Sequence, residues 1–193
     1  GDNVFLIPNC TSPCLVRQYG DGFRILLDRN GLPKTEIWEA TNAQLARVVG
    51  IPGMFRLYTG LLATDFLFTL ATRLRPYEMH PGSVQELLAA SVERLSRAVA
   101  EKGNIEEVLT EAALDLWAAP RAGNPGSRPV VGVTGDLYTR MNPTGNAGLF
   151  ERLMQLGCEV WPSPFFATMA DLASALDTRS EVLQGRLGSA AID

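Results

Sequence analysis

A short apolar run, two closely spaced cysteines and a helical pattern together constrain the start of this chain. Residues 4–8 (VFLIP) predict a buried strand, and residues 14–29 have apolar side chains at helical spacing, ending at Asn30-Gly31. Residues 35–40 (TEIWEA) predict a second strand. A strand, a helix and a strand joined by short links predict a parallel βαβ unit with a right-handed crossover.

The two cysteines, Cys10 and Cys14, lie between the first predicted strand and its helix. The helix dipole and unpaired backbone N–H groups favour the thiolate at such a position. Thiolates there can ligate a soft metal or an iron–sulfur cluster, or carry out redox chemistry. The C-x3-C spacing lacks the second pair of a zinc ribbon and differs from the C-x2-C of thioredoxin-like sites, so inert thiols remain an alternative.

The third cysteine, Cys158, begins a later predicted strand, whereas Cys10 and Cys14 follow one. In one parallel sheet these positions lie at opposite edges. We therefore expect Cys158 to be a buried packing residue rather than a third ligand.

The middle of the chain, residues 42–119, is predicted to be mostly helical, with an early interruption at residues 51–53 (IPG). Ser83 and Asn104 are the expected N-caps of two later helices. An aromatic stripe recurs at helical spacing and is expected to pack in the core, with an apolar pocket or a subunit contact as the alternative. The stripe consists of Phe55, Tyr58, Phe66 and Phe68.

The α/β pattern resumes after residues 120–128, which are rich in proline and glycine and predict a linker or loop. Residues 129–134 (PVVGVT) predict a strand buried in a parallel sheet. A helix over 146–156, a strand over 158–161 and a helix over 167–176 are expected to follow, with Gly157 ending the first of these helices. We therefore predict an α/β fold: a parallel Rossmann-like sheet flanked by helices, with a helical insertion.

This pattern divides the chain into segments that form one domain or two lobes of a larger protein. The segments are a first βαβ part (1–41), a helical part (42–119), the linker (120–128) and a second α/β part (129–193).

The loop over residues 134–146 is the second candidate site, because it leaves the carboxyl end of the best predicted strand, where α/β sheets bind ligands. It offers a carboxylate, a phenol, a guanidinium and helix N-terminal amides to a charged ligand. The alternative is that Asp136 and Arg140 pair with each other and hold the loop rigid. The candidate cofactor-binding residues are Asp136, Tyr138, Arg140 and Asn142.

Composition excludes several classes of function. A net charge of −4 offers no basic field to a nucleic acid. The longest apolar stretch, residues 61–70, contains Asp65 and is too short for a membrane span. An odd number of cysteines fits a reducing cytoplasm.

The abrupt ends of the chain suggest a part of a longer polypeptide. His80, the only histidine, lies in a turn and is expected at the surface or in a capping role.

Two phrases resemble one family. Residues 12–19 (SPCLVRQY) are similar to G-P-C-R-x-G-Q-Y, and residues 131–143 (VGVTGDLYTRMNP) are similar to V-G-I-V-G-E-I-Y-V-R-x-N-P. Residues 157–160 (GCEV) resemble the following G-A-E-V. Such phrases occur in 2-hydroxyacyl-CoA dehydratase-like proteins, especially in the part associated with the activase. The resemblance covers most of the chain.

The resemblance implies a partner in a system where an ATPase activator delivers a low-potential electron to an enzyme acting on acyl-CoA thioesters. Its dehydratase relatives hold a [4Fe–4S] cluster on cysteines, which makes Cys14, the cysteine of the phrase, an expected metal ligand. Cys10 has no certain counterpart in the phrase and is the second expected ligand because it lies beside Cys14. The expected function is electron transfer or acyl-CoA handling, with a CoA thioester as ligand. The expected partners are the rest of the parent protein, an activator ATPase or a second copy. A non-catalytic docking module and a thiol redox regulator are the alternatives.

The chain also departs from the family pattern. Asp136 replaces the usual glutamate, and residues 15–17 (LVR) replace R-x-G. The phosphate-binding loops of the activator are absent from the sequence, so no ATPase activity is expected. Three cysteines cannot alone provide the four thiolates of a cubane cluster.

Overall fold

The computed structural model describes residues 3–8 and 18–167, apart from the side chains of Pro8, Leu137 and Tyr138. Contacts divide the chain into two units, between Phe55 and Arg56. The predicted segment boundaries at residues 41, 119 and 128 stay predictions. Cys10, Cys14 and nearly all of the predicted helix over 167–176 lie outside the described residues.

The first unit contains a strand–helix–strand arrangement. β1 (Val4–Pro8) and β2 (Glu36–Ala40) pair in parallel, with α1 (Tyr19–Arg29) between them in the chain. Arg24 fastens the connection after α1, since its guanidinium donates to the carbonyls of Thr35 (2.6 Å) and Leu32 (3.0 Å). The predicted parallel pairing of these two strands is confirmed.

α2 (Asn42–Leu74) is broken near its start. Gly50 has a φ of 74° and a ψ of 164°, two residues before Pro52. Proline lacks the N–H that a continuous helix requires, and glycine tolerates a positive φ. The interruption predicted at residues 51–53 is therefore confirmed, one residue earlier.

Three helices form the main core of the second unit. α2 continues through a 3₁₀ turn (Arg75–Tyr77) to α3 (Ser83–Ala100) and α4 (Ile105–Ala118). The helical character predicted for residues 42–119 is confirmed. Each helix contributes an apolar stripe whose burial drives their association. The buried residues include Leu67, Ala71, Leu74, Val84, Leu88, Leu95, Ala112 and Leu116.

The starts of α3 and α4 show one wrong capping prediction and one confirmed. The N-cap of α3 is Gly82, not Ser83, because the Glu78 carboxylate accepts from the N–H groups of Gly82 (2.9 Å) and Val84 (3.1 Å). Asn104 caps α4 as predicted, since its side chain accepts from the N–H of Glu107 at 3.2 Å.

A second parallel pair follows the long loop. β3 (Val130–Val133) pairs with β4 (Glu159–Pro162), and α5 (Leu137–Met141) and α6 (Leu149–Gln155) lie between them in the chain. Gly157 ends α6 with a φ of 83°, as predicted. The apolar side of this pair packs on α6 through Val133, Phe150 and Val160.

The predicted Rossmann-like sheet is wrong. The described strands form two separate two-stranded parallel sheets, β1–β2 and β3–β4, and helices dominate the rest. The helical stretch between β2 and β3 builds its own core instead of covering the faces of one sheet. Local sequence patterns predict parallel strands and the helices that connect them. They do not show whether the β1–β2 pair and the β3–β4 pair belong to one sheet, and that is the part of the prediction that is wrong.

The aromatic stripe divides between core and surface. Phe68 packs against both buried clusters, whereas Tyr58 is 40% exposed, Phe66 54% and Phe55 72%. The expectation that the whole stripe packs in the core is wrong for these three residues, because α2 faces the core through Ala63, Leu67, Ala71 and Leu74.

Candidate functional site

Arg140 is a buried cation at the carboxyl ends of β3 and β4. Arg140 is only 4% exposed, and α5 places it between the segments that follow the two strands. Nη1 donates to the carbonyl of Gly135 (3.3 Å), directly after β3, and Nη2 donates to the carbonyl of Pro164 (3.2 Å), after β4. Arg140 therefore joins the two loops that parallel strands present at this edge.

The charge of Arg140 is incompletely compensated within the described residues. Its hydrogen bonds go to two neutral carbonyls near the upper limit of hydrogen-bond length, and no ion pair joins it to a described carboxylate. Its Nε is buried and has no hydrogen-bond partner among the described residues. A buried charge is expensive unless it is paired and hydrogen-bonded, so this arrangement favours an anion.

The other polar residues of the loop have structural contacts. The Asp136 carboxylate accepts from the N–H of Thr139 (2.9 Å) and so begins α5. The Asn142 side chain accepts from the N–H groups of Thr144 (2.9 Å) and Gly145 (3.1 Å). These two amides, which directly precede the helix predicted over residues 146–156, are therefore already bonded within the loop. Ligand contacts of Asp136, Tyr138 and Asn142 stay predictions.

Asn146 supports the loop from its far end. Its side-chain nitrogen donates to the carbonyl of Arg140 (2.8 Å), and its side-chain oxygen accepts from the N–H of Leu149 (3.1 Å) at the start of α6. The backbone of Arg140 is thus held by its own loop, which fixes the point from which the Arg140 side chain extends.

Asp65 is a functional candidate that the sequence analysis missed. It lies on α2, is 8% exposed, and accepts hydrogen bonds from three consecutive backbone N–H groups. These belong to Phe165 (3.1 Å), Phe166 and Ala167 (3.1 Å). The signal was visible: Asp65 is the one charge in the apolar stretch of residues 61–70.

Glu159 was missed as well, and it is the most completely satisfied charge described. It is fully buried at the start of β4. Oε1 accepts from Arg73 Nε (3.0 Å) and Trp161 Nε1 (2.6 Å), and Oε2 accepts from Tyr77 Oη (3.0 Å) and the N–H of Gly126 (2.6 Å). The Arg73 guanidinium also lies over the Trp161 ring, 3.9 Å from its centroid.

The ionised form of Glu159 is favoured by these four donors. Burial alone raises the pKa of the carboxyl, but the hydrogen bonds from Trp161, Gly126, Arg73 and Tyr77 outweigh it and hold the pKa below its ordinary value of 4.5. With its acceptor sites filled, this carboxylate fastens β4 to α2, the 3₁₀ turn and the loop before β3. It has no free lone pair directed at a ligand.

The described residues contain no group of three or more histidine, cysteine or acidic side chains placed to hold an ion. Cys158 is a free, half-buried thiol before β4. Opposite positions of Cys158 and the cysteine pair Cys10 and Cys14 were expected for a single sheet, whereas β1 and β4 belong to different sheets. His80 is exposed in the turn before α3, as expected.

An apolar groove of about 420 Å³ lies between α2 and the start of α4. Leu62, Phe66, Ile105 and Leu109 line it, with Thr59 and Glu106 at its polar positions. Of the aromatic stripe, Phe66 lines it. Ala63, a buried residue of the α2 core face, also lines the groove.

Comparison of the chain with protein-family models, with curated proteins and with solved structures finds no match in any of the three. Within the parts of the chain that the structure describes, no helix combines the length and apolar character needed to cross a bilayer.

Proposed function

We propose that this chain is an acyl-CoA-handling domain of a 2-hydroxyacyl-CoA dehydratase-like, activase-associated protein, in which Arg140 binds an anionic group of a CoA thioester. The partners in this proposal are the rest of the parent protein and an activator ATPase, in the cytoplasm. The resemblance of residues 131–143 to the family phrase supports it, because that phrase contains Arg140.

The observation that carries the proposal is the buried guanidinium of Arg140 with its unpartnered Nε. Guanidinium groups bind phosphate and carboxylate through two parallel N–H donors, and a CoA thioester supplies phosphates. Among the described residues, the Arg140 guanidinium donates only to two neutral carbonyls, so an anion at this position would compensate its charge.

Its position supports the same conclusion. Parallel strands direct their following loops to one edge, where ligands of α/β proteins bind. Arg140 contacts the loops after both β3 and β4, so a ligand bound to it would meet both. The ligand contributes the reactive thioester, and Arg140 would orient it without entering the chemistry.

Isothermal titration calorimetry with acetyl-CoA tests this proposal. We expect binding to the wild type and a Kd at least about tenfold higher in Arg140→Met, since a charged hydrogen bond is lost. Pantetheine, which lacks the nucleotide phosphates, should bind more weakly. Arg75→Met is the matched control, because Arg75 also has a buried, unpartnered Nε but pairs with Glu151 at 3.3 Å.

Two results would overturn the proposal. One is a wild-type protein that shows no binding heat at millimolar acetyl-CoA. The other is an equal Kd for the wild type and Arg140→Met with both variants folded. Equal weakening in Arg75→Met and Arg140→Met would show a general charge effect, which also contradicts a site at Arg140.

Electron transfer is the second part of the proposal, carried by Cys14 and Cys10. The three cysteines of the chain are fewer than the four thiolates of a usual [4Fe–4S] cluster, so in a preparation of this chain alone a second copy must supply the remaining ligand. Iron and acid-labile sulfide, measured after anaerobic reconstitution of wild type and Cys14→Ala, test it. We expect iron that is lost in the variant. Iron-free wild-type protein would contradict a cluster held by this chain.

A further inference from the structure

One peptide group lies between the two buried charges at this edge. The carbonyl of Pro164 accepts from Arg140 Nη2 at 3.2 Å, and the N–H of Phe165 donates to the Asp65 carboxylate at 3.1 Å. These are the two ends of the same peptide bond. A cation, a peptide dipole and an anion are thus connected in series across buried residues.

This series is favourable in electrostatic terms. A peptide unit carries a dipole of about 3.5 D, with its carbonyl end negative and its N–H end positive. The Arg140 guanidinium faces the negative end and the Asp65 carboxylate faces the positive end. Hydrogen bonds in a chain polarise one another, so each charge strengthens the bond made by the other.

Asp65 also fixes the segment more firmly than one hydrogen bond would. The N–H groups of Phe166 and Ala167 donate to its other oxygen. Three consecutive N–H groups on one carboxylate define the direction of the backbone there, and hence the position of the Pro164 carbonyl. α2 therefore holds the acceptor that orients Arg140, although Arg140 itself belongs to α5.

We propose that Asp65 is a positioning residue for the anion site at Arg140, acting through the Pro164–Phe165 peptide. This inference rests on the proposed function, because it concerns the same site. Asp65 holds the Pro164–Phe165 peptide in place, and the Pro164 carbonyl accepts a hydrogen bond from Arg140 Nη2. The guanidinium then presents its remaining N–H donors in one fixed orientation. Asp65 makes no direct contact with the ligand.

Two substitutions remove the charge and its hydrogen bonds to different extents. Asp65→Asn keeps one oxygen, which can still accept from the N–H groups of Phe166 and Ala167, but it loses the negative charge and turns an NH₂ group toward the N–H of Phe165. Asp65→Ala removes both the charge and the hydrogen bonds. Thr72→Val is the control, since it removes another buried polar group of α2 whose hydroxyl donates within its own helix to Phe68 at 2.7 Å.

We expect the Kd for acetyl-CoA to rise about tenfold in Asp65→Ala, less in Asp65→Asn, and not in Thr72→Val. A second measurement is the ¹⁵N–¹H NMR resonance of Arg140 Nε. If Asp65 contributed only to the overall stability of the fold, its substitution would not shift this resonance. This resonance should shift in both Asp65 variants and stay in place in Thr72→Val. Asp65→Asn keeps the test decisive if Asp65→Ala does not fold.

The failures of the two proposals differ. No binding by the wild type removes the proposed function, and with it a positioning role at that site. Wild-type binding with an unchanged Kd in the Asp65 variants leaves the proposed function intact and overturns the role of Asp65. An unmoved Arg140 Nε resonance in Asp65→Asn also overturns it.

Discussion

Glu159 and Arg140 are both buried ionised side chains next to the β3–β4 pair, but they differ in how completely their hydrogen-bonding groups are satisfied. Glu159 has four donors on two oxygens. In the part of the chain that the structure describes, Arg140 has two carbonyl acceptors for five N–H donors, one of which is buried without a partner. The difference separates a charge that the fold satisfies, which serves structure, from a charge that it leaves open, which can serve binding.

The largest expected effect comes from breaking the satisfied charge. Glu159→Gln replaces an acceptor oxygen with an NH₂ group that faces existing donors, so we expect a loss of about 3 kcal/mol in the free energy of unfolding. Urea denaturation measures it. The control is Glu151→Gln, whose exposed pair with Arg75 should contribute less than about 1 kcal/mol. Equal losses in the two variants would remove the distinction between a satisfied buried charge and a surface charge.

The same cluster predicts a pH dependence. The pKa of Glu159 is lower in the folded protein than its ordinary value of 4.5, so the folded state favours the ionised carboxylate. Its contribution to stability is complete above pH 4.5 and is lost as the pH falls through the folded pKa. Denaturation from pH 7 to pH 3 should therefore show the gap between wild type and Glu159→Gln narrowing below pH 4.5. A gap that widens there contradicts this assignment.

A backbone change next to Arg140 is expected to have a smaller effect. Gly135 has a φ of 138°, where other residues are strained, and its carbonyl accepts from Arg140. We expect Gly135→Ala to lower stability by about 1–2 kcal/mol and to weaken acetyl-CoA binding. Gly132→Ala is the matched control, since Gly132 has open space and no positive φ. Similar losses at both positions would contradict a strained turn at Gly135.

The smallest expected effect is on the stability of Arg140→Met. Replacing a buried, incompletely compensated cation by an apolar side chain is close to neutral, so we expect a change within about 1 kcal/mol in urea denaturation. Arg73→Met, which removes a donor from Glu159, should be clearly more destabilising. A large loss in Arg140→Met would place Arg140 with Glu159 as a structural charge.

Local patterns were enough to predict several elements of this fold. Asn104 and Gly157 act within a few residues of their own positions, and each was predicted correctly. Ser83 was wrong as a cap because Glu78, five residues earlier, supplies a stronger acceptor. Sheet formation requires pairing between distant segments, and periodicity carries no information on which strands pair.

The two missed carboxylates show the same limit. The partners of Glu159 include Arg73 and Tyr77, 86 and 82 residues away, and Asp65 contacts residues about 100 positions later. An isolated charge in an apolar stretch marked Asp65 as unusual but did not reveal its partner. Arg140 was found because its loop follows a predicted strand, whereas the unpartnered Nε became visible only in the structure.

The most direct test of this comparison measures acetyl-CoA affinity and unfolding free energy together in Arg140→Met and Glu159→Gln. Affinity is measured under conditions where both variants are folded. We expect opposite outcomes: Arg140→Met keeps its stability and loses affinity at least about tenfold, and Glu159→Gln loses about 3 kcal/mol of stability and keeps its affinity. Unchanged affinity in Arg140→Met, or affinity lost equally in both variants, would contradict this expectation.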